Sequence, residues 1–278
     1  MSLIFEPISH TYKSEDDIKW VSVTTLLSYL KQPFNPKNVA KKSSENKKSK
    51  WFGKTTEEIE KIWKKESDRA CDLGNWYHAQ RENDIINCNT IVRYDKELAV
   101  IRPMVDDEGR KIASSQKLTD GIYPEHLVYL RSAGICGQSD LVEVVDGVVN
   151  ILDYKTNKEI KAESFRNWEG ISQKMLTPIT HLDDCNLNHY NLQLSIYMYI
   201  ILKHNPTFKP GKLVLHHIQF EEEDQKDEHG YPVMKKSTNG DFIIKNIIPY
   251  EMPYLKSEVM SVLMWYKDNQ NKLLKVKK

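Results

Sequence analysis

Two apolar runs joined by Asp146-Gly147 place the strongest constraint on the fold of this chain. They read GICGQSDLVEVV before the dipeptide and VVNILDYKTNK after it. An Asp-Gly pair between valine-rich segments is the strongest short-range signal for a two-residue hairpin turn. We therefore predict antiparallel strands over residues 134–145 and 148–155, preceded by a third strand over 122–130.

The flanking segments carry helix and strand signals in a mixed order. Residues 67–86 have helical spacing, with Ser67 or Asp68 as the cap. The other predicted elements are a strand, cap and helix over 20–30, a long amphipathic helix over 187–205, a strand over 212–220, an acidic exposed loop over 221–230 and a closing helix over 254–272. This order predicts a mixed α/β fold with a central sheet flanked by helices. We expect residues 1–66 to form an extension packed on a core of residues 67–278, as a single globular unit.

Composition favours a soluble globular protein. The chain has 278 residues, of which 40% are hydrophobic, and a net charge of +1. No apolar run approaches the roughly 20 residues that span a bilayer, and the acidic N-terminal stretch argues against a targeting peptide. We therefore expect a cytoplasmic protein with no membrane partner, and a nucleic-acid partner would need local basic patches.

The second hairpin strand ends in charges that a buried strand does not need. Asp153 and Lys155 share one face because strand side chains alternate, and a simple strand-end ion pair is one interpretation. The hairpin, however, also brings Asp140 of the preceding strand beside Asp153. Two adjacent carboxylates repel each other unless a cation sits between them. A hard divalent cation, which takes oxygen ligands, would remove that penalty.

Two helices carry further polar side chains. Gly74, His78 and Glu82 recur every four residues and share one helix face, although a lone helix histidine is more often a satisfied or exposed side chain. One face of the later helix is either functional or an ordinary helix interface. That face contains Tyr190, Gln193 and Tyr197.

Five segments in a fixed order resemble one enzyme family. GNWYHAQRE, PEHLVYL, GQSDLVEV, ILDYKTNK and YNLQLSIY are similar to the successive motifs of the RecB-like branch of the PD-(D/E)XK nucleases. The resemblance covers about residues 68–200, and the opening ISHTY and VSVTTLL segments also resemble phage members. Stand-alone relatives in this branch include the mitochondrial genome maintenance exonuclease and many phage exonucleases. The resemblance implies a restriction-endonuclease-like core.

The resemblance also implies roles for particular residues. His78, Asp140 and Asp153 match the metal ligands, and the Tyr154 carbonyl is a further candidate oxygen. Lys155 matches the catalytic lysine. The expected cofactor is Mg²⁺ or Mn²⁺, as one or two ions, and the imidazole ligand makes Mn²⁺ a good alternative. Many relatives have Glu where this chain has Asp153, which would hold the ion closer to the strand.

Three other matched positions have less defined roles. Gln193 and Tyr197 match a late motif that orients the lysine or touches the nucleic-acid backbone. Glu125 matches an acidic position before the G-x-x-D motif, and the alternative is an exposed strand residue after Pro124. The family's iron–sulfur spacing is absent from the cysteines, so no such cluster is expected. They are Cys71, Cys88, Cys136 and Cys185.

A basic segment is the candidate for substrate binding. Residues 37–65 contain ten Lys and four Glu, an excess of six positive charges (10 − 4). Lysines there would contact phosphates while aromatic side chains stack on bases, or the segment is a solvated face with its aromatics packed inward. The predicted nucleic-acid-binding residues are Lys47, Lys48, Lys50, Trp51, Lys54 and Tyr190, with Phe52 and Trp63 as further aromatics. We expect the acidic 221–230 loop to lie away from this surface.

The resemblance implies a metal-dependent DNA exonuclease that acts on free, single-stranded ends in DNA processing, repair or recombination. A structure-specific or restriction-type endonuclease on the same core is one alternative. A catalytically silent DNA-binding or assembly protein is another, although the intact set of His78, Asp140, Asp153 and Lys155 argues against it. A metal-stabilised structural domain would leave Lys155 unexplained.

Overall fold

A computed structural model describes residues 3–276 of the chain, apart from Ile8, His10, Asp17, Ser114 and Trp168. Part of the ISHTY segment therefore lies outside the described residues. The helices are α1 (Val23–Ser28), α2 (Pro36–Glu45), α3 (Thr56–Ile86), α4 (Asn186–His204) and α5 (Lys256–Val276). The strands are β1 (Leu3–Glu6), β2 (Thr11–Ser14), β3 (Val21–Ser22), β4 (Thr90–Arg93), β5 (Lys96–Ala99), β6 (Met104–Val105), β7 (Lys111–Ala113), β8 (Gly121–Leu130), β9 (Ile135–Val145), β10 (Val148–Lys155), β11 (Lys209–Phe220), β12 (Glu222–Lys226), β13 (Pro232–Met234) and β14 (Ile244–Met252).

The main sheet is mixed, as predicted. Its strand order is β14-β11-β10-β9-β3, and β8 also pairs with β9. β8, β9 and β10 are consecutive antiparallel strands, whereas β10 and β11 run parallel. The hairpin turn is confirmed, because Asp146 and Gly147 have φ values of 52° and 70°, the left-handed pair that a type I′ turn requires.

Helices pack on both faces of this sheet. α4, together with α1 and α5, covers a core that contains Ile151 and Leu215. α3 covers the other face through Tyr77, which packs with Tyr154 and Ile218. Residues an odd number of positions apart along β10 and β11 thus face opposite sides of the sheet, as strand alternation requires. The prediction of a mixed α/β fold with a central sheet flanked by helices is confirmed.

The predicted start of α3 at Ser67 or Asp68 is wrong. The helix begins eleven positions earlier at Thr56, after the N-cap Thr55. The Thr55 side chain accepts a hydrogen bond from the Glu58 backbone, and the Glu58 carboxylate accepts one from the Thr55 N–H at 2.7 Å. This reciprocal capping box fixes the helix start. The boundary between residues 66 and 67 therefore falls inside a continuous helix.

The acidic segment is a hairpin arm instead of a loop. β12 is exposed and pairs with β13. The arm lies against α3, where Glu228 pairs with Lys65 at 3.5 Å and Tyr231 joins the cluster around Trp51. The prediction that this segment lies away from the basic surface is therefore wrong.

Short strands escaped the sequence analysis. A second sheet has the order β2-β1-β7-β6, and β4 and β5 form a separate two-stranded hairpin. Each of these strands has four residues or fewer, too few for a reliable alternation. In the described part of the chain, no helix combines the length and the apolar character that a membrane crossing needs.

Candidate metal centre

The site forms where two strands of the main sheet separate. The β9–β10 ladder ends at the pair Leu141 and Leu152, although β10 remains paired with β11 as far as Lys155. At the next position, Asp140 Oδ2 accepts a hydrogen bond from the Tyr154 N–H at 2.8 Å. A side-chain oxygen thus replaces the ladder acceptor. His78 of α3 contacts Asp140 at this gap.

Glu125 approaches this gap from β8 through an unusual backbone conformation. Pro124 pairs with Leu141 and His126 with Ser139, but Glu125 between them has φ 49°. A positive φ is uncommon for a residue other than glycine, and such backbone strain concentrates at functional sites. Glu125 is only 9% exposed. The alternative interpretation, in which Glu125 is an exposed strand residue, is therefore wrong.

His78, Glu125 and Asp140 converge into a triad. His78 Nδ1 lies 3.4 Å from an Asp140 carboxylate oxygen and 4.0 Å from a Glu125 oxygen. One ligand atom from each residue lies within 4.8 Å of the others, the only such group among the described residues. Their side chains are 31%, 11% and 11% exposed, respectively. The spacing and the mixture of nitrogen and oxygen atoms suit a divalent cation.

The pKa values of this triad are shifted by burial and by the proximity of its charged groups. Burial and then the charge of Asp140 raise the pKa of Glu125 to about 8. Burial would lower the pKa of His78, but the hydrogen bond to Asp140 and the charge of that residue raise it to about 9. A proton on His78 thus provides positive charge at the place where a cation would bind. A cation would displace the protons of His78 and Glu125 on binding, and the geometry and donor types of the three residues fit a divalent metal ion.

Asp153 lies beside the triad and pairs with Lys155. Its carboxylate forms an ion pair with Lys155 Nζ, while the same nitrogen donates to the Tyr154 carbonyl at 3.3 Å. Burial and the charge of Asp140 raise the pKa of Asp153 to about 6. Although burial opposes it, the charges of Asp153 and Asp140 raise the pKa of Lys155. The lysine is therefore a charged group fixed at the edge of the triad.

The geometry therefore divides the residues that the resemblance assigned to the metal. His78 and Asp140 belong to the triad with Glu125, while Asp153 and the Tyr154 carbonyl contact Lys155 instead. Glu125 takes the place expected for Asp153 in the set of ligand atoms. Its left-handed backbone, which sequence does not reveal, carries the side chain into the gap.

Three residues without an assigned role complete the surroundings. Lys111 of β7 contacts Glu82 at 2.8 Å and Glu125 Oε2 at 3.5 Å, and Gln138 donates to the same Glu125 oxygen. The sequence spacing already placed Glu82 on the helix face of His78, and Gln138 lies in the G-Q-S-D motif, which could have indicated it. Lys111 had no signal, because it reaches the site from the small sheet.

The three polar residues of α4 support the lysine side of the site. Lys155 Nζ lies 5.2 Å from the ring centre of Tyr190, whose hydroxyl donates to Asn157 at 2.7 Å. Gln193 donates to the Tyr197 hydroxyl at 3.1 Å. The face is therefore adjacent to the site and also a packed interface.

A close approach explains one motif glycine. A Cβ added to Gly137 would lie 2.6 Å from Tyr197 Cε1, below any ordinary contact. The tyrosine ring is buried against β9 just ahead of Asp140. The absence of a side chain at Gly137 therefore permits the close packing of α4 on β9.

The basic segment lies at the other end of α3 from His78. Lys47, Lys48, Lys50 and Lys54 are exposed. Trp51 is only 8% exposed and packs against Trp63, with Lys50 Nζ 4.4 Å from its ring. The prediction that Trp51 stacks on bases is not supported by its burial, whereas Phe52 is 52% exposed.

All four cysteines are free thiols, two exposed and two buried.

Comparisons with known proteins add no assignment: a scan against protein-family models and a search of curated proteins both return no match.

Proposed function

We propose that this protein is a metal-dependent nuclease that hydrolyses phosphodiester bonds of DNA from free, single-stranded ends. One observation carries the proposal. The triad of His78, Glu125 and Asp140 lies beside the buried Asp153–Lys155 pair at the point where β9 and β10 separate. The motif order that resembles the RecB-like PD-(D/E)XK nucleases supports the same activity and a core of that kind.

The chain's own residues would provide binding and electrostatic stabilisation. His78, Glu125 and Asp140 would hold Mg²⁺ or Mn²⁺, with Asp153 available nearby. When bound, such an ion supplies a Lewis acid that lowers the pKa of water and polarises a phosphoryl oxygen. Lys155, held by Asp153 and kept charged, would offset the negative charge that develops on the phosphate. Burial of these groups strengthens each of these interactions.

Lys111 gives the site a second cation. It contacts the triad member Glu125, whereas Lys155 contacts Asp153. A phosphate at the triad would therefore have two lysines near it. This arrangement favours a polyanionic substrate over a purely structural metal site.

The test is cleavage of end-labelled linear DNA, single- and double-stranded, beside a covalently closed circle, each with Mg²⁺, Mn²⁺ or EDTA. We expect metal-dependent loss of the single-stranded linear form, abolished by Asp153→Asn and by Lys155→Met. Glu169→Gln changes an exposed carboxylate that forms no ion pair among the described residues; it is the matched control and should cut normally. Cutting of the circle would indicate an endonuclease, and no cutting by a wild-type protein that binds DNA would leave only a scaffold.

The ligand assignment has a separate test. Titration of Mn²⁺, followed by electron paramagnetic resonance, measures binding without any substrate. We expect Glu125→Gln to weaken binding at least as much as Asp153→Asn, because Glu125 belongs to the triad. Tighter or unchanged binding in Glu125→Gln would contradict the set inferred from the geometry.

A further inference from the structure

A groove of about 650 Å³ lies between α3 and the β12–β13 arm, beside the candidate metal centre. Residues 156–158, which directly follow Lys155, form part of its wall together with the end of β11. We propose that this groove binds the phosphates and bases of single-stranded DNA next to the bond that is cut. The inference rests on the proposed nuclease function and names the surface that selects the substrate.

The charge of the groove matches a polyanion. Its charged lining residues are Arg69, Lys158, Lys236 and Lys245 against Glu66 and Glu222, a net of +2 (4 − 2). Arg69 is already paired with Glu66 at 2.7 Å. Lys158, Lys236 and Lys245 are exposed and form no ion pair within the part of the chain that the structure describes. Three lysines are therefore available for phosphates.

An aromatic wall favours a single strand over a duplex. Phe242 is partly buried and packs edge-on against Trp76 with ring centres 5.1 Å apart. Lys236 Nζ lies 4.7 Å from the centre of the Phe242 ring. Cations beside an aromatic ring in a groove are the combination that holds unpaired bases and their backbone. The bases of a duplex are stacked on each other and would not reach such a wall.

The groove is lined by residues that adjoin the candidate metal centre in the chain. Lys158 follows Lys155 by three residues, so their Cα atoms are at most about 11 Å apart. On the other wall, Leu73 of α3 precedes His78 by little more than one helical turn. Of the acidic residues 221–224 on the β12 side, only Glu222 lines the groove. A strand lying here would pass directly from the lysines to the triad.

The test measures binding in EDTA, so that it does not depend on cleavage. Fluorescence anisotropy with a labelled 12-nucleotide oligo-dT would be recorded across salt concentrations for wild type and for the variant Lys158→Gln/Lys236→Gln/Lys245→Gln. Each phosphate contact on a single strand contributes about 0.7 to the slope of log affinity against log salt. Loss of three contacts should reduce the slope by about 2, which corresponds to about 100-fold weaker binding at 0.1 M salt.

A matched control removes the same charge elsewhere. Lys203→Gln/Lys209→Gln/Lys267→Gln changes three exposed lysines outside the groove, and Lys209 lies at the opposite end of β11 from Phe220. The control should bind as wild type does. Equal losses in the two variants, no loss in the groove variant, or equally tight binding of a duplex of the same length would overturn the proposal.

The outcome is separable from that of the nuclease assay. A protein that cuts nothing but shows the groove-specific loss of binding would keep the groove and refute the nuclease. A protein that cuts metal-dependently but binds identically in both lysine variants would keep the nuclease and refute the groove. Circular dichroism and thermal melting verify that the variants remain folded.

Discussion

Replacement of Gly137 by alanine tests whether α4 is positioned by contact with β9. The new Cβ would lie 2.6 Å from Tyr197 Cε1 and 3.0 Å from its hydroxyl oxygen. Tyr197 is 2% exposed, so its ring cannot move aside into solvent. Overpacking of this kind lowers the free energy of unfolding by about 1–3 kcal/mol. Gly137 has no left-handed φ, so backbone strain adds nothing.

A double-mutant cycle isolates this contact. Urea unfolding would be measured for Gly137→Ala alone and in the backgrounds Tyr197→Phe and Tyr197→Leu. Phenylalanine retains Cε1, so the loss should persist, whereas leucine removes the ring edge and should reduce the loss by at least about 1 kcal/mol. Gly74→Ala is the comparison, because its nearest neighbour is the rotatable Thr156 hydroxyl at 3.3 Å and alanine favours the helix. An equal loss in all three backgrounds would refute the steric explanation.

Three further predictions concern charge and attachment. Lys155→Met should lower the free energy of unfolding by about 3–5 kcal/mol at pH 8. The loss should be smaller at pH 5, because the buried Asp153, whose pKa is raised, takes up a proton as the pH falls. Equal losses in urea unfolding at the two pH values would contradict this. Burial lowers the pKa of His126 to about 4, below the unfolded value near 6.5. The wild type should therefore lose up to about 3 kcal/mol of unfolding free energy as the pH falls from 6.5 to 4. His126→Leu should flatten this dependence of the unfolding free energy on pH, as measured by urea unfolding at each pH. Tyr231→Ala removes the contact of the β12–β13 arm with the Trp51 cluster and should speed proteolysis within residues 221–235. An unchanged rate of cleavage there would contradict this prediction.

Local sequence signals predicted the parts of the fold that depend on few residues. The Asp146-Gly147 turn, the strands on either side of it and α4 lie close to their predicted positions, because a turn dipeptide and a long apolar pattern are decided locally. The start of α3 was missed although Thr55 and Glu58 form a capping box. The apolar spacing does extend to the first turns of α3, because Ile59, Ile62 and Trp63 follow the i, i+3, i+4 pattern and the two isoleucines are buried.

The candidate site was predictable in its members and not in its grouping. Sequence order identified His78, Asp140, Asp153 and Lys155, and the structure brings all four to one place. Whether Glu125 joins the triad depends on a single left-handed φ, which no residue pattern encodes. Lys111 enters through pairing between short strands distant in sequence, so only the folded chain reveals it.

The 31-residue α3 also fixes the distance between the basic segment and the candidate metal centre. It is one uninterrupted helix from the basic segment to His78, and the 22 residues between Thr56 and His78 span about 33 Å at 1.5 Å per residue. That length equals about ten nucleotide steps at B-form spacing, and a more extended single strand would span it with fewer. A nucleic acid held by the lysines at one end and cut at the other would therefore need about this minimum length, and the rigid helix would set that threshold.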